Sequence, residues 1–254
     1  MSISTPSPEV EEARALIHQA EKICVFTGAG ISTDSGIPDF RGPQGLWTKD
    51  PEAEKMATLQ YYMADPDVRR RSWQMKRQQA EATLKPNAGH RALLALEQQG
   101  RLHTLVTQNV DGLHHDAGSD PDRIVEIHGT LREAVCMECD DRGPMQATLD
   151  RVRAGEEDPA CLRCGGILKS ATISFGQGLV ARDLARAEIA AQECDLMLTV
   201  GTTLGVYPIA GIVPIAHERG AGIIILNSGA TEMDALAQVR LSGSISEILP
   251  QIVQ

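Results

Sequence analysis

Leu196-Met197-Leu198-Thr199-Val200-Gly201-Thr202-Thr203-Leu204-Gly205-Val206-Tyr207-Pro208 opens on a strand-sized apolar run and stops abruptly at a glycine followed by small and hydroxyl-bearing residues. An apolar run with no polar alternation reads as a strand buried on both faces. A helix near 209–219 follows it, and then another apolar strand, 222–226. Upstream lies a helix carrying Val180, Leu184, Ala187 and Ala191, preceded by a run at 171–175 that reads as a further strand. Buried strands alternating with helices predict a parallel, doubly wound α/β sheet. Sheets of this kind bind ligands beyond the C-terminal ends of their strands, where the chain order reverses. The residues just after each strand are therefore the candidates for function.

The N-terminal half extends the same pattern. Val10, Ala13, Leu16, Ile17 and Ala20 share one helical face, and 22–27 reads as a buried strand ending at Gly28-Ala29-Gly30-Ile31-Ser32-Thr33. Glycines at such a position let backbone N–H groups approach a phosphate, although a purely structural turn fits the fragment as well. The dehydrogenase fingerprint is incomplete, because no acidic residue ends a second strand about 20 positions on. The polar, glycine-punctuated stretch 34–42 reads as a lid, and 51–84 as helices outside the sheet.

Pro86 and Asn87 start a helix whose stripe is Ala88, Ala92, Leu93 and Leu96, and Gly100 ends it. The strand 102–107 leads into Gln108-Asn109-Val110-Asp111-Gly112-Leu113-His114, which groups two amides and a carboxylate as ligand contacts or, alternatively, as helix caps. The run 124–127 leads to His128-Gly129. His128 is the histidine best placed to act as a base, since His18 and His90 fall on helices and His103 within a strand. Asn227-Ser228-Gly229 follows the strand 222–226 and, like the loop from Gly201, offers donors for ribose and phosphate oxygens; each alone is also an ordinary turn.

Between 130 and 169 the periodicity breaks, and the segment carries Cys136-x2-Cys139 and Cys161-x2-Cys164. Two such knuckles have the spacing of a four-thiolate zinc site, with disulfides as the alternative in an oxidising compartment. Four thiolates fill a tetrahedron, so this zinc is expected to be structural. Cys24 and Cys194 read as plain buried thiols.

The chain has 254 residues, 42% hydrophobic and 23% charged, with a formal net charge of −10. That composition supports a packed core and argues against binding nucleic acid by phosphate neutralisation. No leader-like segment and no run approaching the ~20 apolar residues of a spanning helix is read, so no membrane partner is expected and the location is expected to be cytoplasmic.

Taken in order, Gly28-Ala29-Gly30-Ile31-Ser32, Pro38-Asp39-Phe40-Arg41, Gln108-Asn109-Val110-Asp111, His128-Gly129, the four cysteines, Phe175-Gly176, Gly201-Thr202-Thr203-Leu204-x-Val206-x-Pro208 and Asn227 resemble the sirtuin family of NAD-dependent protein deacylases across nearly the whole chain. The resemblance implies one catalytic domain over 1–254. It comprises a Rossmann-like core (9–50, 86–129, 171–254), a helical insertion (51–85) and a zinc module (130–170).

It further implies that the acyl oxygen of an acyl-lysine peptide attacks the NAD ribose carbon bearing nicotinamide. The products are deacylated lysine, nicotinamide and O-acyl-ADP-ribose. By this likeness Phe40 covers the reacting ribose, Gln108, Asn109 and Asp111 orient the ribose and nicotinamide end, and His128 is the general base. The rest of NAD is expected to contact Gly28, Ala29, Gly30, Thr33, Asp39, Arg41, Gly201, Thr202, Thr203, Asn227, Ser228, Gly229 and the backbone of Ile245. The peptide is expected to pair as a strand between Phe175-Gly176 and Gly205-Val206-Tyr207.

Two departures stand out. Gln177 replaces the glutamate of many relatives, and Trp73-Gln74-Met75-Lys76 replaces the Tyr-x-x-Arg of the succinyl-preferring branch, so acidic acyl groups are not expected to be favoured. Mono-ADP-ribosyl transfer and a non-catalytic NAD-binding zinc module are the remaining readings.

Overall fold

The computed structural model describes residues 6–39, 45, 49, 50, 52–82 and 84–254. The chain begins with α1 (Pro8–Gln19), where Ser7 caps the N-terminus, Pro8 sits in the first turn and Val10, Ala13 and Ile17 face inward. Strand β1 (Ile23–Thr27) is buried along its whole length, as expected for a strand covered on both faces. A 3-10 helix, Ala29–Ser35, follows it directly. Three helices, α2 (Glu52–Met56), α3 (Leu59–Ala64) and α4 (Pro66–Glu81), form the helical insertion. The chain returns through α5 (Ala88–Gln98), whose N-terminus carries a capping box of Asn87 and His90, to β2 (Leu102–Thr107), the short α6 (Leu113–Ala117) and β3 (Ile124–Glu126).

Next come β4 (Gly129–Cys136), β5 (Arg142–Pro144), α7 (Met145–Arg153) and β6 (Leu168–Thr172). The chain closes with α8 (Ala181–Glu193), β7 (Leu196–Val200), α9 (Ile212–Glu218), β8 (Gly222–Leu226), β9 (Val239–Leu241) and α10 (Ile245–Val253).

The main sheet has the order β3-β2-β1-β7-β8-β9, and every pairing in it is parallel. The order runs outward from β1 in both directions, so the reversal of winding falls between β1 and β7. Alternate residues of each strand feed opposite cores. Ile23 and Val25 join α1, α5 and α10 on one face, while Cys24 and Phe26 join α8 and α9 on the other.

The second sheet is antiparallel, in the order β5-β4-β6. This corrects the strand expected at 171–175. The strand there is Leu168–Thr172, and it pairs with β4 in the small sheet rather than entering the parallel one. Residues 174–177 instead form a turn closed by the Gln177 N–H donating to the Ser174 carbonyl at 2.9 Å.

The two insertions pack on each other. Trp73 of α4 is fully buried in one cluster with Cys136, Cys161, Leu149 and Leu168, the Tyr62 hydroxyl donates to the Leu168 carbonyl at 2.9 Å, and Arg69 meets Asp158 at 2.9 Å. No helix among the described residues is long and apolar enough to cross a membrane.

Candidate active site at the switch point

The loops leaving β1 and β7 touch at the reversal of the sheet, and glycine is what allows the contact. The Gly30 N–H donates to the Gly201 carbonyl at 2.9 Å. A Cβ on Gly30 would lie 2.7 Å from the Gly201 Cα, and one on Gly201 would lie 2.5 Å from the Ile31 nitrogen. Any larger residue at either position must push the loops apart. The glycines therefore serve loop-to-loop packing, the structural role that the fragment alone also allows.

The loop after β2 is wired into this pair. Gln108 donates from Nε2 to Thr202 Oγ1 at 2.9 Å, and Asn109 donates from Nδ2 to the Gly28 carbonyl and to Ser32 Oγ, each at 3.1 Å. The Ser32 hydroxyl donates to Asp111 Oδ2 at 2.8 Å, and the other carboxylate oxygen accepts from the Leu113 N–H at 2.9 Å. Asp111 thus receives the first N–H of α6 on one oxygen, beside an N-cap at Gly112 that has no side-chain bond of its own, and joins the Asn109–Ser32 network with the other.

His128 follows β3. Its Nδ1 lies 3.1 Å from the Gln108 carbonyl, and because a carbonyl only accepts, Nδ1 carries the proton and the lone pair is left on Nε2. Burial lowers the His128 pKa below the usual histidine value, with the bond to Gln108 opposing in part. The ring is thus held neutral, in the tautomer a general base requires.

Sequence reasoning missed the layer beneath. Ser32, in the sequence one residue of a glycine-bearing turn motif, joins Asn109 to Asp111. Below it, Thr27 Oγ1 donates to Thr107 Oγ1 at 2.8 Å and lies 3.2 Å from His114 Nε2, and Thr107 Oγ1 accepts the Asn109 N–H at 3.1 Å. The rings of His90 and His114 stand 4.9 Å apart. Burial pushes their pKa values down to about 4 and about 3, so both are neutral.

The remaining expected contacts lie around this centre. Thr33 bonds the Gly30 carbonyl at 3.0 Å, Asn227 bonds the Gly229 carbonyl at 2.9 Å, and the Ser228 carbonyl accepts from Ser242 at 3.2 Å. Thr203 is exposed beside the buried Thr202, Asp39 is half-buried, Ala29 lies at the start of the 3-10 helix, and Ile245 begins α10. Phe40 and Arg41 lie outside the described residues.

On the peptide side, Phe175 and Gly176 are the central residues of the 174–177 turn rather than a strand. The Phe175 backbone is already bonded to the insertion, its N–H to the Ala57 carbonyl at 2.8 Å and its carbonyl to the Leu59 N–H at 2.9 Å. Gln177 folds back to accept the Ser174 N–H at 3.2 Å. Gly205, Val206 and Tyr207 lie in the loop after β7, where Tyr207 is 63% exposed.

The four cysteines form the metal candidate. Their sulfurs all lie within 4.8 Å of one another, with Cys136 to Cys164 at 3.5 Å and Cys139 to Cys161 at 3.8 Å. These separations are too long for disulfides, whose sulfurs sit about 2.05 Å apart. They match the edges of a tetrahedron whose centre is about 2.3 Å from each sulfur, the geometry of thiolate zinc.

The Sir2 family model matches residues 28–208, most of the chain. This chain belongs to the Sir2 family. It is 47% identical over 232 residues to NAD-dependent protein deacetylase 2 of Streptomyces coelicolor, a match covering 91% of this chain and 96% of that protein. It is 41% identical over 249 residues to the NAD-dependent protein deacetylase of Sulfolobus acidocaldarius, covering 96% and 95%. A solved Sir2 enzyme, described for its mechanism and regulation, superposes with a TM-score of 0.87 at 36% identity and 96% coverage of both chains. A Sir2 variant in complex with a deacetylated p53 peptide and 3'-O-acetyl ADP ribose does so with a TM-score of 0.87 at 28% identity, again over 96% of each chain. The sirtuin resemblance and the Rossmann-like fold are thereby established for this Sir2 protein.

Proposed function

We propose that this Sir2 protein is an NAD-dependent protein lysine deacetylase whose zinc is structural. The observation that carries the reading is the bonded set Asn109–Ser32–Asp111, placed with a neutral His128 where the β1 and β7 loops meet. NAD, when bound, supplies a ribose carbon joined to a cationic leaving group and a ribose that carries the acetyl group away.

The chain's own residues do the rest. The Asn109 and Asp111 side chains are held by partners that fix their rotamers, so they can orient a ribose and a carboxamide without reorganising. His128 takes a proton from a ribose hydroxyl at Nε2, and the Gln108 carbonyl stabilises the imidazolium that results. The protein requires no side-chain nucleophile, consistent with Cys24 and Cys194 being buried, with thiol pKa values pushed well up and to about 11 respectively, chiefly by burial.

The four cysteines fill the tetrahedron and leave no open position for water, so metal chemistry at the reacting centre is not part of the reading. Acyl groups beyond acetyl belong to the same proposal, with acidic ones disfavoured. Lys76 donates to Ser72 Oγ at 2.6 Å and is buried against Trp73, which leaves it committed within α4 of the helical insertion. Nicotinamide release that depends on an acetyl-lysine peptide is the experimental test. Release without any acetylated peptide, with transfer to a protein side chain, would point to ADP-ribosylation instead.

A further inference from the structure

Strand β4 leaves its ladder just past the candidate base. Gly129 pairs with Thr172 and the next partners are Ala134 and Ser170, so five residues advance on β4 for two on β6. The extra residues bulge toward the loop that carries Asn109 and Asp111, and bulges beside functional sites commonly re-aim a side chain. Here the Leu131 N–H donates to the Val110 carbonyl at 2.9 Å. Arg132 donates from Nη2 to the Gly112 carbonyl at 2.8 Å and to Asp116 Oδ1 at 2.5 Å. Its guanidinium lies so close over Gly112 that a Cβ there would sit 2.2 Å from Nε, and Gly112 has a φ of +75° that favours glycine independently.

We propose that Arg132 is a positioning residue for the deacetylation reaction: from the β4 bulge it braces the turn at Val110–Gly112 and so holds Asn109 and Asp111 toward the NAD cleft. The exposed ion pair with Asp116 contributes little by itself. The charge-assisted bond to the Gly112 carbonyl is the effective contact, because it fixes the backbone immediately after Asp111. The brace also joins the zinc module mechanically to the site, since the strand that carries Arg132 ends at the zinc-ligand candidate Cys136.

The proposal rests on the deacetylase reading for its kinetic consequences, and its test separates the two. In Arg132→Ala, kcat/KM for NAD is expected to fall roughly tenfold, the scale on which small misplacements of oriented groups act. KM for the peptide and zinc content are expected to hold. Arg132→Met, which keeps the packing of the stem without the donors, should behave alike and decides the matter where the alanine variant folds poorly. Asp116→Ala leaves the Gly112 contact in place and is expected to stay within twofold of wild type. Amide exchange at Leu113 and Leu131 should quicken in both Arg132 variants; this readout needs no turnover and tests the brace even if the deacetylase reading fails. Arg132→Met with wild-type kinetics and exchange overturns the proposal, as does a loss in Asp116→Ala equal to that in Arg132→Ala.

Discussion

The His128 ring nitrogen Nδ1 lies 3.1 Å from the Gln108 carbonyl, so the loop that presents Asn109 and Asp111 also sets the tautomer of the base. His128→Ala is expected to keep the melting temperature and lose about 100-fold or more in turnover. The lowered pKa fixes the sign of the pH profile. Protonation removes the base, so turnover falls as pH drops through a value below the ordinary histidine pKa, and an acidic limb above that value would contradict the assignment. Steady-state kinetics across pH 5 to 8 on wild type measures it.

Ser32 joins Asn109 to Asp111, and its removal orphans one donor and one acceptor in a buried setting. Leaving such groups unpaired costs about 1–3 kcal/mol each. Ser32→Ala is therefore expected to lower turnover by one to two orders of magnitude with little change in peptide KM. Michaelis constants measured separately for NAD and peptide check this, and an unaltered kcat would show that Ser32 has no part in positioning.

The buried histidines predict acid sensitivity of the fold. His90 and His114 are held near pKa 4 and 3, against about 6.5 in an unfolded chain. Between those values the unfolded chain takes up protons that the folded chain refuses, so stability is full above about pH 6.5 and is lost as pH falls toward 4. Melting curves from pH 7 to 4 should show this decline, and His114→Asn should flatten it.

Zinc removal should loosen more than the knuckles. Trp73 of α4 packs in the same cluster as Cys136 and Cys161, so stripping the metal with a chelator, or Cys161→Ser, is expected to lower the melting temperature and to change tryptophan fluorescence together. A melting temperature unchanged by Cys161→Ser would count against the zinc assignment.

Much of this was legible in the sequence because the parallel strands are short apolar runs that end at glycines or polar loops, and the functional loops begin where those runs stop. The exceptions have physical causes. Strand β6 reads Leu168-Lys169-Ser170-Ala171-Thr172, and its lysine is buried, bonding the Ser170 and Thr172 carbonyls, with a pKa lowered to about 8 by burial. A polar residue in a buried strand conceals that strand from any hydropathy argument, and the expected strand shifted downstream onto the 174–177 turn. Strand β9 has only three residues, too short to carry a period. The Ser32, Thr27, Thr107 and His114 layer depends on partners about 80 residues apart in sequence, contacts that only the fold brings together.

In the proposed reaction the NAD ribose receives the acyl group while His128 serves as base. Mass spectrometry of an acetyl-lysine peptide incubated with the protein, with and without NAD, separates this reaction from simple hydrolysis and from ADP-ribosyl transfer. NAD-dependent loss of one acetyl mass from the peptide, together with nicotinamide and O-acetyl-ADP-ribose, is the expected result. Free acetate formed without NAD, or NAD consumed while the peptide keeps its acetyl group, would contradict it.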